Sequence, residues 1–335
     1  MSHSPQSALL PPVTTKADGS PRRVGIEIEF SDLSLEAAAA ALQAQFGGEL
    51  QAISRYEREL HDDPAGIWRV ELDSSLLKQL GRRARGSGDL SSALENLAEE
   101  AVRVISDPIV PVEVVSPPLP MARLGEVNQL IERLRAAGAR GTSEELAYAF
   151  GLQFNPETPA TDAATLCRYL QAYLCLEEWL RARANVDWTR RLTAFADPFP
   201  KAYIRQVIAA DYRPTQAALI DDYLDANPTR NRSLDWLPLF AFVDAERVQT
   251  RVNDDRIKPR PAFHYRLPNS EIERPDWNLN IAWADWLAVE RLAGAPAALA
   301  AMCRGYAAFL ERPFGQLTGD WATQADQLLG EHAII

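Results

Sequence analysis

Four short segments in the first half of the chain alternate apolar and polar residues, and this pattern most restricts the possible folds. They are VGIEIEF at 24–30, WRVELDSSL at 68–76, PVEVVSP at 111–117 and GLQFNPE at 151–157. Side chains two apart on a strand share a face, so each segment has one apolar and one polar side. Such strands bury one face under helices, and the sequence therefore predicts an antiparallel sheet.

Helical periodicity fills most of the remaining chain. Helices are predicted between the strands, at about 35–46, 90–106 and 123–137, and from about 161 onward nearly every segment has helical spacing. Strands with intervening helices followed by a mostly helical half indicate the α+β class. We divide the chain into a disordered tail at 1–21, a sheet part at 22–160, a helical segment at 161–245 and an arginine-rich segment with C-terminal helices at 246–335. The last three are expected to form one integrated domain.

The polar faces of these strands are rich in acids. Glu27 and Glu29 share a face of the first strand, Asp73 shares one with Glu71 on the second, and Glu113 stands between valines. A lone E-x-E pair is most often the solvated face of a sheet. Like charges on neighbouring strands destabilise a sheet, however, and few cations interrupt these acids. The alternative interpretation is a hard divalent cation such as Mg²⁺, which takes carboxylate oxygens as ligands.

Basic residues cluster later in the chain. The stretch from Arg256 to Arg266 contains no acid, and Arg230 and Arg232 precede it in NPTRNRSLD. Guanidinium groups bind carboxylates and phosphates in bidentate fashion, although a solvated basic loop that balances acids elsewhere has the same composition. An acidic metal face combined with arginines is typical of phosphoryl transfer.

Composition and missing motifs exclude several classes of protein. Acids outnumber bases 46 to 35, a net charge of −11, which argues against a nucleic-acid partner. No apolar run approaches the roughly 18 residues of a membrane span, and the N-terminus does not resemble a secretory signal. Three cysteines without CxxC spacing predict a reduced, cytoplasmic setting. The motifs of P-loop, Rossmann, α/β-hydrolase and zincin proteins are missing from the sequence.

The same strand segments resemble a known family. GIEIEF, WRVELDSSL, PVEVVSPPL and FGLQFNPE, in that order, are similar to segments of the amidoligases, carboxylate–amine ligases related to glutamate–cysteine ligase and glutamine synthetase. RPAFHYRLPN resembles, more loosely, the arginine-rich segment of glutamine synthetases. The resemblance covers roughly residues 22 to 290. It implies an antiparallel sheet of the glutamine synthetase/glutamate–cysteine ligase type packed with helices.

The resemblance also implies a reaction and a set of site residues. Members are expected to activate a carboxylate with ATP as an acyl phosphate, which an amine then attacks to give an amide or peptide bond. The implied cofactors are ATP and Mg²⁺, with Mn²⁺ as a substitute, and the substrates are a small-molecule or peptide carboxylate and amine. The implied metal ligands are Glu27, Glu29, Asp73 and Glu113; the cofactor-binding residues are Gln153, Asn155, Arg230 and Arg232; the catalytic residues are Arg260 and Arg266.

Gln153 stands where such ligases usually carry histidine. A glutamine can coordinate through its carbonyl oxygen or donate a hydrogen bond, but it does not titrate near neutral pH. This difference keeps a second hypothesis open, a non-catalytic module that binds nucleotide or peptide on the same scaffold. A third hypothesis is a metal-dependent hydrolase or phosphotransferase that uses the same acidic face. The sequence indicates no oligomeric state.

Overall fold

The computed structural model describes residues 10–72, 111–142, 150–184, 197–312 and 320–335. This part of the chain contains one seven-stranded sheet, in which every pair of neighbouring strands is antiparallel. The strands are β1 (Arg23–Phe30), β2 (Leu50–Ser54), β3 (Glu57–Leu60), β4 (Trp68–Leu72), β5 (Val112–Val115), β6 (Leu119–Pro120) and β7 (Leu152–Pro156). The predicted antiparallel sheet is confirmed, and β2 and β3 form a hairpin over residues 50–60.

The strand from the E-x-E segment, β1, occupies the centre of the sheet. The order runs β2-β3-β4-β5-β1, with β6 beside the start of β1 and β7 on the opposite edge of β1. The polar side chains of β1 therefore have neighbours on both sides, from β5 and from β7.

The same described ranges contain ten α-helices and one 3₁₀ turn at Met121–Arg123. The helices are α1 (Leu35–Phe46), α2 (Leu124–Ala136), α3 (Ala163–Arg183), α4 (Lys201–Val207), α5 (Gln216–Ala226), α6 (Leu237–Val243), α7 (Ala245–Arg251), α8 (Leu279–Ala293), α9 (Pro296–Glu311) and α10 (Trp321–Glu331). Strands joined by helices, then a helical half, confirm the α+β class. The helix predicted at 90–106 lies outside the described residues.

Helix α1 packs on β3, β4 and β5, and α2 packs against α1. The apolar residues of β1, from Val24 to Phe30, are at most 1% exposed. Ser34 begins α1 by accepting a hydrogen bond from the Ala37 backbone N–H, as an N-cap residue does. The buried residues of α2, which are Leu124, Val127, Leu130, Ile131 and Leu134, recur at helical spacing and form one apolar stripe, and α2 packs against α1.

Helix α3 forms the centre of the helical half. It packs against α8, α9 and α10, and most of its side chains are buried around its whole circumference. A helix that is buried all round needs neighbours on every side, so the later helices assemble around it. Aromatic contacts join this half to the sheet, since the Phe154 ring of β7 lies 5.3 Å from the Trp283 ring of α8.

A segment far along the chain extends the sheet beyond β7. Residues 261–270, which we call the arginine segment, run antiparallel to β7, with bridges between Phe154 and Tyr265 and between Glu157 and Ala262. A further bridge joins Leu234 to Tyr265. The arginine segment thus lies between β7 and residues 233–235.

Residues 10–21 correct the prediction of a disordered tail. The Lys16 backbone N–H donates to the Ser20 carbonyl (2.8 Å), and the Ala17 N–H donates to the Pro159 carbonyl (2.9 Å). The chain is held here because the buried Arg22 guanidinium donates to the Val13 carbonyl (2.6 Å). The prediction of disorder rested on four prolines and little periodicity in residues 1–21, which carry no information about this long-range contact. Residues 1–9 lie outside the described residues.

No single helix among the described residues is long and apolar enough to cross a bilayer. The consecutive helices α8 and α9 reach that length and composition only as a pair, and they bend by 102° at their junction.

An ion pair holds the loop before β4. Its contribution to the free energy of unfolding should depend on pH. Arg123 donates to both carboxylate oxygens of Asp63 (2.7 and 2.8 Å). These hydrogen bonds lower the pKa of Asp63 below its ordinary value, against the effect of burial. A lowered pKa in the folded state gives stability that is fully present above the unfolded-state pKa and is lost as the pH falls through the folded-state pKa.

We expect Asp63→Asn to lower the free energy of unfolding by about 1.5–3 kcal/mol at pH 7, the usual effect of hydrogen bonds to a charged group. The deficit should be smaller at pH 3 than at pH 7, because pH 3 lies below the ordinary aspartate pKa of about 3.9, and it should vanish only below the lowered pKa of folded Asp63. Urea unfolding at both pH values measures this. The exposed neighbour Asp62, at φ 71° where asparagine is well tolerated, provides the control Asp62→Asn. A deficit that is equal at pH 7 and pH 3 would contradict the assignment.

Candidate functional site

A row of four glutamates crosses the polar face of the sheet. Glu57 of β3 pairs with Glu71 of β4, Glu71 pairs with Glu113 of β5, and Glu113 pairs with Glu29 of β1. Directly paired residues project from the same face, with Cβ atoms about 5 Å apart. We call these four residues the acidic row. The register thus aligns four carboxylates across four neighbouring strands.

A second row runs parallel to the acidic row, two residues along each strand. It contains Glu59, Arg69, Val115, Glu27 and Gln153. Arg69 lies 3.1 Å from a carboxylate oxygen of Glu59 and 3.6 Å from one of Glu57, so it offsets charge at the β3 end. At the other end of this row, Glu27 is paired with Gln153, and the Gln153 side chain reaches Glu29 of the acidic row.

A glycine directly before β7 makes room for Glu29. The Gly151 backbone N–H donates to the Glu29 Oε2 atom (2.7 Å), and the Glu29 N–H donates to the Gly151 carbonyl (2.9 Å). A Cβ atom at Gly151 would lie 3.3 Å from Oε2, a distance tighter than most real contacts. The lack of a side chain therefore lets the Glu29 carboxylate lie against the backbone of β7.

Two buried amides of β7 lie next to the carboxylates of β1, and one of them also contacts Arg260, which directly precedes the arginine segment. Gln153 and Asn155 are each 8% exposed. The Gln153 Nε2 atom donates to Glu29 Oε1 (3.2 Å), and the Asn155 Nδ2 atom donates to Glu27 Oε1 (2.8 Å). The oxygen of Asn155 accepts from the Arg260 guanidinium (2.8 Å).

Alternation along the arginine segment explains the aromatic residues between its basic residues. Phe263 and Tyr265 project into the helical core, where both rings lie within 5.4 Å of the Trp286 ring. Alternate positions project to the other side. The register of the Phe154–Tyr265 bridge places His264 opposite Asn155 and Arg266 opposite Gln153. The basic side chains thus reach the polar face because the aromatic ones are buried.

Arg260 and Arg230 lie in a partly desolvated environment. Burial lowers the pKa of Arg260, while Glu27 and Asp235 raise it and Arg266 lowers it further. Burial likewise lowers the pKa of Arg230, and Asp235 opposes that shift. Both groups remain cations because the ordinary pKa of arginine is so high. Arg230, Arg260 and Arg266 therefore lie close enough to influence one another, in surroundings that also contain the Asp235 carboxylate.

Arg266 and Arg230 lie beside each other. The Arg266 Nη1 atom donates to the Arg230 carbonyl (2.9 Å), and the Arg230 Nε atom lies 3.6 Å from an Asp235 carboxylate oxygen. The structure therefore brings together Glu27, Glu29, Glu113, Gln153, Asn155, Arg230, Arg260 and Arg266 of the predicted site.

Arg232 projects to a different place. It is 8% exposed, its Nε atom donates to the Asn227 side chain (2.8 Å), and its Nη1 atom donates to the Pro198 carbonyl (3.1 Å). Its guanidinium lies 5.6 Å from the centre of the Phe199 ring. These contacts hold neighbouring loops together, so we remove Arg232 from the candidate site. Asp73 lies outside the described residues.

Sequence reasoning missed four residues that the fold places on this face. Glu57 and Glu71 extend the acidic row. Strand alternation could have identified Glu71, because it places Glu71 on the same face as Asp73. His264 and Asp235 lie behind Gln153, and His264 was visible as part of the basic stretch. Asp235 had no local signal, since it joins the site through the pairing of residues 233–235 with the arginine segment.

The donor set has the chemistry that Mg²⁺ prefers. Glu29 and Glu113 are directly paired and offer oxygen ligands. Within the described ranges no three His, Cys, Asp or Glu side chains are close enough to hold a metal ion by themselves. Mg²⁺ is usually held by one or two carboxylates together with water and substrate phosphates, so the residues fit an ion that arrives with phosphates.

Comparison with known proteins identifies the family. A family model described as "putative amidoligase enzyme" matches residues 20–288, a span that contains all seven strands, the arginine segment and most of the helical half. No curated protein and no solved structure matches the chain. Because the matched region covers well over half of the sequence and contains the acidic row, the chain belongs to the amidoligase family.

Proposed function

We propose that this amidoligase family member is an ATP- and Mg²⁺-dependent carboxylate–amine ligase that forms an amide or peptide bond. One observation carries the proposal. The acidic row and the basic residues Arg260 and Arg266 lie on one face of one sheet, separated by β7 and its two buried amides. Negative and positive groups at opposite ends of one surface fit a substrate that carries both a metal ion and phosphates.

The chemistry proceeds in two steps. An oxygen of the substrate carboxylate attacks the γ-phosphorus of ATP and releases ADP, which gives an acyl phosphate. An amine then attacks the acyl carbon, loses a proton and expels phosphate, which retains the carboxylate oxygen. Mg²⁺, or Mn²⁺ in its place, would neutralise phosphate charge when it is bound.

The side chains have separate roles in this proposal. Glu29 and Glu113 would hold the ion, and Asn155 orients the nearby Glu27 carboxylate. Arg260 and Arg266 would bind the oxygens of the transferring phosphoryl group or of the substrate carboxylate, which guanidinium groups contact in bidentate fashion. We also propose that the sheet is of the glutamine synthetase/glutamate–cysteine ligase type. The two substrates would be a small molecule or peptide with a carboxylate and a small molecule or peptide with an amine.

An ADP-release assay tests the reaction. Purified protein with ATP and Mg²⁺ is supplied with pooled amino acids and peptides, then with carboxylates alone and with amines alone. We expect release that requires both an acid and an amine. Release without any amine would instead establish a hydrolase or phosphotransferase. ATP binding without release under every condition would establish a non-catalytic binding module.

Substitutions of two arginines distinguish an effect on turnover from an effect on stability. Arg260→Ala removes a guanidinium from the polar face, so we expect turnover to fall at least about 100-fold, as for one lost donor to a transition state. Arg232→Ala removes buried hydrogen bonds and should lower the free energy of unfolding by about 1–3 kcal/mol. Turnover per folded molecule of Arg232→Ala should stay within about threefold of wild type. Equal losses of turnover in the two variants would contradict the placement of Arg232.

A further inference from the structure

The Asn155 side chain lies between a carboxylate and a guanidinium group. Its Nδ2 atom donates to Glu27 Oε1 (2.8 Å), and its Oδ1 atom accepts from the Arg260 Nη2 atom (2.8 Å). A guanidinium group only donates hydrogen bonds, so the amide oxygen must face Arg260 and the amide nitrogen is left for Glu27. The orientation of this amide is therefore fixed by its neighbours.

A glycine on β1 lets the Asn155 amide reach Glu27. Asn155 is directly opposite Gly25, and Glu27 lies two residues further along the same face of β1. A Cβ atom at Gly25 would lie 3.4 Å from the Asn155 Cβ and 3.8 Å from its Nδ2 atom. With no side chain directly opposite, the amide bonds to its diagonal neighbour instead. Asn155 is only 8% exposed, so the contact is largely shielded from solvent.

Arg260 bonds to this neutral amide rather than to a carboxylate. Its Nη1 atom donates to the Lys258 carbonyl (3.4 Å), and within the described ranges the guanidinium forms no ion pair. Arg22, by contrast, is buried directly against its counter-charge Glu290 (2.7 Å). Charged groups withdrawn from water are usually paired, so the unpaired state of Arg260 needs a structural cause.

Glu27 is the carboxylate on the other side of the amide. Burial lowers the pKa of Arg260, and Glu27 opposes this effect more strongly than any other group does. Both side chains have several rotatable bonds, and a guanidinium and a carboxylate within about 4 Å of each other form an ion pair. Without the amide between them the two side chains would pair, and an incoming anion would meet a neutral pair instead of a cation.

We propose that Asn155 is a positioning residue that keeps Glu27 and Arg260 from forming an ion pair, and so leaves Arg260 charged for the phosphate oxygens of a bound nucleotide. The amide occupies one N–H group of Arg260 but carries no charge of its own. Asn155 thus acts through Arg260, without contact to the nucleotide. This inference rests on the proposed function, since it requires phosphates at this end of the polar face.

An exchange of the two groups tests the spacer directly. The double variant Glu27→Gln/Asn155→Asp keeps the net charge, and the introduced amide can still donate to the introduced carboxylate, which accepts from Arg260. The carboxylate now contacts Arg260 without a spacer. We expect the affinity for inorganic pyrophosphate, measured by calorimetry in EDTA, to fall about 10–100-fold, the equivalent of one hydrogen bond to a charged group. Wild-type affinity in the folded double variant would overturn the proposal.

Removal of the spacer provides a second, independent test. In Asn155→Ala we expect Glu27 to pair with Arg260 and the pyrophosphate affinity to fall at least about tenfold, as for the loss of a hydrogen bond to a charged group. Adding Glu27→Gln should restore it. Loss of a negative charge also favours an anion in otherwise wild-type protein, so the readout is the difference between the two backgrounds. The gain from Glu27→Gln should be at least about tenfold larger beside Asn155→Ala. Equal gains would mean that Asn155 has only a structural role.

Asn227→Ala is the matched control for Asn155→Ala. Asn227 is also a buried asparagine whose oxygen accepts from an arginine, the Nε atom of Arg232 (2.8 Å), but it lies away from the polar face. We expect its pyrophosphate affinity to stay within about twofold of wild type. Equal losses in the two variants would indicate a general loss of packing and would overturn the positioning role.

The outcomes distinguish this inference from the proposed function. Pyrophosphate binding in EDTA needs neither metal nor turnover, whereas the ligase reaction is tested by release of ADP. Wild-type protein that releases ADP but binds no pyrophosphate overturns the inference alone. Pyrophosphate binding with the expected losses, in a protein that releases no ADP, supports the inference and overturns the ligase. The exchange variant preserves shape and charge, so it decides the question if Asn155→Ala does not fold.

Discussion

Glu29→Gln should reduce the acid- and amine-dependent release of ADP by at least about 100-fold while the protein stays folded. Loss of a residue that merely orients a metal ligand costs 10–100-fold, so loss of a ligand should cost the upper end of that range or more. Glutamine keeps the shape of the side chain and an oxygen that can accept from the Gly151 N–H. The expected change in stability is that of one altered hydrogen bond, about 1 kcal/mol.

Glu57→Gln is the matched control, because it is the same substitution in the same cross-strand row. Glu57 lies at the β3 end, beside Arg69 and two strands removed from Glu113. We expect its turnover to stay within about threefold of wild type. Steady-state ADP release and thermal melting of both variants measure the effects. Equal losses at the two positions would show that the charge of the whole row matters, rather than a ligand at Glu29.

Glu290→Gln should destabilise the fold by about 3–5 kcal/mol, since it leaves a buried arginine without its counter-charge. The Glu290 carboxylate accepts from two guanidinium nitrogens of Arg22 (3.1 and 2.7 Å) and from the Trp286 indole (3.0 Å). The Tyr169 hydroxyl donates to it as well. Burial lowers the pKa of Arg22, but Glu290 outweighs that effect, and the net direction is upward. This network joins the N-terminal segment and β1 to α8.

Urea unfolding followed by tryptophan fluorescence measures the effect of Glu290→Gln. Typical domains unfold with 5–15 kcal/mol, so the expected loss is a large fraction of the total. The control is Glu246→Gln at an exposed position of α7, where a change within about 0.5 kcal/mol is expected. A small effect at Glu290 would mean that Arg22 finds another partner or is solvated.

The sheet and part of its chemistry could be predicted from the sequence because strand alternation has a period of two. Once 24–30 is a strand, Glu27 and Glu29 must share a face, and the apolar residues between them must be buried. The same reasoning placed Glu113, Gln153 and Asn155. Direct pairing of Glu29 with Glu113 could not be predicted, because strand order and register depend on contacts between distant segments.

For Arg230 and Arg232, the local sequence pattern did not predict which side chain reaches the site. Arg230 and Arg232 are two residues apart, yet one lies beside Asp235 and the other reaches Asn227 and the Phe199 ring. This stretch is not a regular strand, so a spacing of two does not fix a common face. Asp235 is close to His264 because residues 233–235 pair with the arginine segment, and that pairing has no signal in the local sequence.

The pairing of β7 with the arginine segment has a consequence for synthesis of the chain on the ribosome. The two partners, Leu152–Pro156 and residues 261–270, are separated by more than 100 residues. At 5–20 residues per second, roughly 10 s pass between their appearances. During that interval β7 presents an open hydrogen-bonding edge, which another nascent chain could pair with. We therefore expect co-translational association or chaperone capture to concentrate in this window and to end when Tyr265 bonds to Phe154.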